Sequence, residues 1–237
     1  MQRGTATPIA PHYRKGDMIM DTLRALELRH AVRSYTDQPL SGDVLAALRK
    51  LVAEANKEGG LHIQLVLDRP KAFRGLLPKI GGFKNTKNYF AMIAKKNKGE
   101  ELGYYGQKIV LEAQKLGLNT CWVSGTFGKD ADAYDIDRGE KLFAVIAVGY
   151  GTTQGNPHES KAYNDVVKGK DMPDWFVAGA KAALQAPTAM NRQPFTLSLE
   201  KKDKVVLGKA SGIDKGIIKY NFEVGAASKG CKKVNWK

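Results

Sequence analysis

Three observations on the 237-residue sequence predict an α+β fold. Residues 44–55 and 102–116 carry apolar side chains at helical spacing, which marks two long amphipathic helices. Residues 142–150, LFAVIAVGY, are almost continuously apolar, as in a strand covered on both faces. Residues 61–67 and 89–94 add shorter runs with the branched and apolar content of strands.

Taken in order, residues 21–28 form a short helix with Leu23, Leu26 and Leu28 inward. Ser41 is placed to cap the second helix, with Asp43 in the first turn favouring its dipole, and Gly59 and Gly60 stop it after about Asn56. Beyond the strand at 61–67, residues 69–77 read as a short helix ended by Pro78, and 80–88, IGGFKNTKN, as a loop. The strand at 89–94 leads to a longer helix, 99–116, which Gly117 closes. Residues 120–123 form a strand whose exit, Ser124-Gly125-Thr126, is small enough to leave its backbone N–H groups open to close approach. The apolar strand at 142–150 is expected to be central, with a long polar loop at 151–170 behind it. Asp171 and Pro173 start a helix whose inward face is Trp175, Phe176, Ala180, Ala183 and Leu184. Strands at 195–199 and 204–207 and a closing helix at 213–229, capped by Gly230, complete the chain.

An apolar content of 43% supports a substantial core, in one domain or two fused halves. No run approaches the ~20 apolar residues of a membrane span. Residues 1–17 are polar, lack the apolar stretch of a secretory signal, and are expected to be a disordered extension before a fold that starts at Met18 or Met20. Cys121 and Cys231 form no CxxC pair and are expected to be buried free thiols, a usage that fits a reducing, cytoplasmic compartment. The four histidines, His12, His30, His62 and His158, lack zinc-type spacing, so no metal site is expected.

A net charge of +14 raises nucleic acid or a membrane surface as partners. Residues 200–237 hold ten lysines against four acids, but these are spread between apolar residues without the interleaved arginine and aromatic side chains of a stacking platform. A solvated lysine face accounts for them, and nucleic acid is not the expected partner. The denser feature is Leu28 to Pro39, LRHAVRSYTDQP, where Arg29, His30 and Arg33 fall within five residues between two helices. Such a cluster suits an anion, because each guanidinium offers a planar fork of donors to phosphate oxygens. Cations flanking a helix end, where they favour the dipole, are the alternative.

LRHAVRSYTDQPL resembles the start of the FMN-dependent nitroreductase family. GLNTCWVSGTF, from Gly117, resembles that family's Gly-x-x-Thr-x-Trp segment, and APTAMNRQPF, from Ala186, its Pro-Ser-x-x-Asn-x-Gln-Pro segment. Together they span most of residues 18–237. The resemblance implies a mixed, mainly antiparallel sheet flanked by helices, and an FMN-dependent NAD(P)H oxidoreductase that passes electrons to a small-molecule acceptor such as a nitroaromatic or quinone. It also implies the roles of individual residues. Arg29, His30 and Arg33 would bind the flavin phosphate, with Lys161 in PHESK completing the clamp. Pro187, Thr188, Ala189 and Asn191 would contact the flavin, the Ser124 and Gly125 amides would meet its reactive ring nitrogen, and Trp122 would pack in the core. The hydride chemistry would be the cofactor's and one open face would impose ping-pong kinetics. No Ser-His-Asp, Cys-His or paired-carboxylate arrangement is present, so no catalytic side chain is named. A flavin-binding protein without turnover and a basic nucleic-acid-binding protein are the competing readings.

IVLEAQKLGLNTCW and FEVGAASKGCKKVNW share a plan in which Ala113 corresponds to Ala226 and Gly117 to Gly230, although chance likeness of two amphipathic helices is the alternative. Nitroreductases usually build each flavin site from two subunits, and this chain resembles a branch in which two half-domains, 18–160 and 161–237, are joined and packed as one globular unit. The halves would then be related by a pseudo-twofold axis, and the chain would be a monomer imitating a dimer, or a homodimer. The early position that should carry a Pro-Ser-Asn segment reads AEANKEGG, so one flavin site per chain is expected.

Overall fold

The computed structural model describes residues 20–201 and 203–237; the expectations for residues 1–18 and the reading of His12 lie outside the described residues. The chain is α+β and builds two four-stranded sheets. The first contains β1 (Gln64–Val66), β2 (Tyr89–Lys95), β3 (Asn119–Val123) and β4 (Glu140–Gly149), in the order β1-β2-β4-β3 with every pair antiparallel. The apolar run at 142–150 is therefore an inner strand, as its composition requires. The second sheet contains β5 (Val167–Lys168), β6 (Thr196–Glu200), β7 (Lys204–Gly208) and β8 (Asn235–Trp236), where β6 and β7 pair antiparallel and the two outer pairs are parallel.

Helix α1 (Thr22–Leu28) starts on Asp21, whose carboxylate accepts the Arg24 N–H at 2.7 Å. Helix α2 (Gly42–Gly59) runs three residues past its expected end and stops at Gly60, which takes up the left-handed conformation. Ser41 stands at the cap without a side-chain bond. Two corrections follow for 69–80. Its helical content divides into a 3-10 turn over Pro70–Phe73 and α3 (Leu76–Ile80), and Pro78 lies inside α3 rather than after it. A proline in the first turn costs no helical hydrogen bond, because that N–H has no partner in any case. Helix α4 (Gly99–Lys115) ends where expected. The supposed loop 151–170 contains a single turn, α5 (Tyr163–Val166), and β5, while α6 (Asp174–Ala183) and α7 (Gly212–Ala227) match their readings and β8 has no counterpart among them. Its two residues carry too little pattern to be recognised without their partner strand.

The core has three parts: α2 and α4 over one face of the first sheet, the 32–35 and 66–89 segments over its other face, and α6 and α7 over the second sheet. Helices α4 and α7 join them by crossing at two glycines. A Cβ on Gly103 would strike the Ile213 carbonyl, and one on Gly216 would strike the Glu100 carbonyl. The two contacts are reciprocal, and each residue of the first pair is separated from its counterpart by the same stretch of sequence that separates Ala113 from Ala226. Beside the crossing the buried Gln107 donates to Asn221 Oδ1 at 3.0 Å and accepts from Trp122 Nε1 at 3.2 Å, while Asn221 donates to the Ala182 carbonyl at 3.3 Å. Every polar atom of this bridge that is buried between the two cores thus has a partner, which low-dielectric burial demands.

Candidate functional site

A cleft of about 650 Å³ lies where the two sheets' loops and α7 meet, within the ~300–1,000 Å³ range of small-ligand sites. One wall is the extended segment after α1. It is stitched into the fold by Val32 N–H to the Thr120 carbonyl (3.1 Å), Tyr35 N–H to the Lys84 carbonyl (3.2 Å) and Thr36 N–H to the Tyr150 carbonyl (2.8 Å). In extended backbone alternate side chains face opposite ways. Val32 is buried in the core, while Arg29, Ala31 and Arg33 face the cleft together with His30.

Arg29 is only 5% exposed, and its Nε has no hydrogen-bond partner. No ion pair among the described residues includes it. Burial pulls its pKa down from 12.5 to about 10, opposed only by nearby Cys121, so the group remains charged at neutral pH. A buried, unpaired cation is costly, and native structures keep one where an anion is to be met. Arg33 is exposed and His30 half-buried, with its Nδ1 3.2 Å from the Gln154 carbonyl. Cys121 lies beside the two arginines, and burial pushes its thiol up rather than leaving it a ready thiolate.

The opposite wall is the 186–195 loop. Met190, Asn191 and Gln193 all hold positive φ (51°, 52° and 47°), a conformation that L side chains adopt only where surroundings enforce it. The enforcement comes from Gln193. Its N–H donates to Thr188 Oγ1 at 3.0 Å, its amide donates to the Glu159 carbonyl at 2.7 Å and to Asn191 Oδ1 at 3.0 Å, and its Oε1 accepts the Lys161 N–H at 2.9 Å. Asn191 adds a bond to the same Glu159 carbonyl at 2.8 Å. Replacing Gln193 by alanine is expected to cost about 2–3 kcal/mol, because buried backbone partners are orphaned, and to expose the loop to protease. Urea unfolding and limited proteolysis read the two effects, and an unchanged midpoint would show that the loop holds itself.

Pro187, Thr188, Ala189 and Asn191 line this wall, and Ser124, at the exit of β3, lines the floor with Trp122 and Phe143. Trp122 also packs against both the first and the second core. Gly125 follows Ser124 but is not among the lining residues, and neither is Lys161, whose Nζ donates to the Gln193 carbonyl at 3.1 Å. Asn156, His158, Glu159 and Asp214, which no sequence motif singles out, also line the cleft. Asp214, in the first turn of α7, accepts the Ala189 N–H at 3.1 Å, and burial raises its pKa against the effect of that bond.

Away from the cleft, His62, Asp137 and Glu140 bring ligand-type atoms within 4.8 Å of one another. They are engaged among themselves, since His62 Nδ1 lies 2.7 Å from Glu140 Oε2, which also accepts the Asp137 N–H at 3.0 Å. Both cysteines are free thiols, and Cys231 is half-buried rather than buried, because it sits in the turn after α7. Among the described residues no helix is long and apolar enough to cross a membrane.

Fold and cleft together define an α+β protein with a cation-walled site between two sheets. Residues 21–226 match the family model described as "Putative TM nitroreductase", and the chain belongs to that family. Membership supports a general oxidoreductase role. Among solved structures, the chain is similar to a "putative nitroreductase" from Thermotoga maritima, at 19% identity and a TM-score of 0.68, over 94% of this chain and 91% of that one. An "FMN-dependent Nitroreductase" from Clostridium difficile R20291 aligns at 20% identity and a TM-score of 0.45, over 57% and 90% of the two chains. A "putative nitroreductase in complex with fmn" from Desulfovibrio desulfuricans aligns at 17% identity and a TM-score of 0.45, over 64% and 98%. No curated protein matches the sequence.

Proposed function

We propose that this chain is an FMN-dependent NAD(P)H oxidoreductase of nitroreductase type, acting on nitroaromatics, quinones or similar small acceptors. The observation that carries the cofactor is Arg29: a buried guanidinium with an orphaned Nε, facing a cleft with Arg33 and His30, fits the phosphate of a flavin mononucleotide. When bound, FMN would supply the hydride chemistry, which no side chain here provides. Arg29, Arg33 and His30 would hold the phosphate, and the 187–191 wall would fix the ring against Trp122 and Phe143. The Ser124 and Gly125 amides are the candidate donors to the ring nitrogen. Lys161, tied to the Gln193 carbonyl, would shape the phosphate end through that loop.

The reciprocal glycine contacts of α4 and α7 support a second element of this reading, that 18–160 and 161–237 are two half-domains about a pseudo-twofold axis. The cleft draws Arg29 from one and Asn191 from the other. One chain would thereby imitate the dimer, with one flavin site, acting in the cytoplasm. The test is spectroscopic. Freshly purified or FMN-reconstituted protein should be yellow and should oxidise NADH or NADPH with a nitroaromatic or quinone in ping-pong fashion. A colourless protein that retains no flavin after reconstitution removes the cofactor assignment. A yellow protein inert to both nicotinamides reduces it to a flavin binder.

A further inference from the structure

Two buried polar atoms without partners belong to side chains on the same cleft, Arg29 Nε and His158 Nε2. His158 stands three residues before Lys161, whose ammonium is already committed to the Gln193 carbonyl. We propose that His158, not Lys161, is the further ligand of the cofactor's phosphate, and that this imidazole is neutral in the free protein and takes a proton from solvent as the phosphate dianion enters. The inference rests on the FMN reading above and adds a residue and a proton to it.

The surroundings of His158 explain why the proton is absent before binding. Burial lowers its pKa first, the Arg29 charge lowers it further and His30 adds a small push in the same direction, while the Leu184 carbonyl at the end of α6 acts the other way. Two carboxylates, Glu159 and Asp214, lie on the cleft wall, but neither is hydrogen-bonded to His158, and Asp214 is occupied by the Ala189 N–H. Arg33 completes the charged groups of that wall. A phosphate dianion beside Arg29 would reverse this balance by placing negative charge next to an imidazole in a poorly solvated site. The sign for the flavin-free protein also follows. A folded-state pKa below the unfolded value means that the unfolded chain binds the proton more tightly, so stability is lost as pH falls through the ordinary histidine range. FMN should relieve that loss.

The full chain is titrated with FMN and with riboflavin by calorimetry at pH 7.5, in buffers of different ionisation enthalpy. At this pH a phosphomonoester, with a second pKa of about 6, is already almost wholly dianionic, so proton uptake is the protein's. FMN binding should take up a measurable fraction of a proton, riboflavin none, and FMN affinity should fall with rising pH by up to about tenfold per unit. His158→Gln should abolish the uptake and flatten the pH profile, and His158→Lys should keep the affinity without the uptake. FMN binding with no proton uptake, or with uptake undiminished in both variants, overturns the assignment and leaves the flavin reading standing. Failure to bind FMN at any pH overturns both.

Discussion

Arg29→Met is expected to raise the melting temperature of the flavin-free protein while weakening FMN binding by roughly 30- to 150-fold. The two effects share one cause. In the free protein the guanidinium is buried without a counter-ion, and removing such a charge while keeping the apolar stem relieves about 1–3 kcal/mol of desolvation. For a chain of this length that corresponds to several degrees. With the phosphate present the same group makes a charge-assisted bond, and its loss costs about 2–3 kcal/mol of affinity. Arg33→Met is the contrast, because Arg33 is exposed and its removal should weaken FMN without stabilising anything. The structure separates the two arginines into one buried and one exposed group. Thermal melts with and without FMN, together with a fluorescence titration, decide the matter. A lower melting point with unaltered flavin affinity would make Arg29 a structural residue.

Gly216→Ala should destabilise the chain by about 3 kcal/mol or more and shift its midpoint by roughly 6–12 °C. The added methyl meets the Glu100 carbonyl and the Tyr104 N–H, which are backbone and cannot rotate away. The helices must therefore separate, and separation also pulls Ile213 and Asp214 from the cleft wall that they line. Gly103→Ala should behave alike, since it meets the Ile213 carbonyl from the other side. Gly128→Ala is the control, because its Cβ finds only ordinary contacts of 3.7 Å. Equal melting points for Gly216→Ala and Gly128→Ala would show that the crossing has slack, and would weaken the case for two halves locked about an axis.

The legibility of the site varied by residue. Arg29, His30 and Arg33 stand out because their density between two helices is visible in one dimension, and the 186–195 segment because it resembles a family segment. His158 and Asp214 were not legible. A lone histidine in a polar stretch and an aspartate in a helix's first turn have common structural explanations, and only their placement on the Arg29 cleft gives them another. Lys161 suits the clamp by its position in the chain, and the structure shows its ammonium on the Gln193 carbonyl.

Helical and strand periodicity determined the α+β class, the inner position of the 142–150 strand, the end of α4 and the start of α6, because these depend on which side chains share a face and on local caps. Tertiary structure alone decided that β5 and β8 exist, that α4 and α7 touch at paired glycines, and that Arg29 and Asn191 border one cavity. Those features depend on pairing partners and on burial across more than a hundred intervening residues. No local pattern encodes how far a guanidinium lies from water.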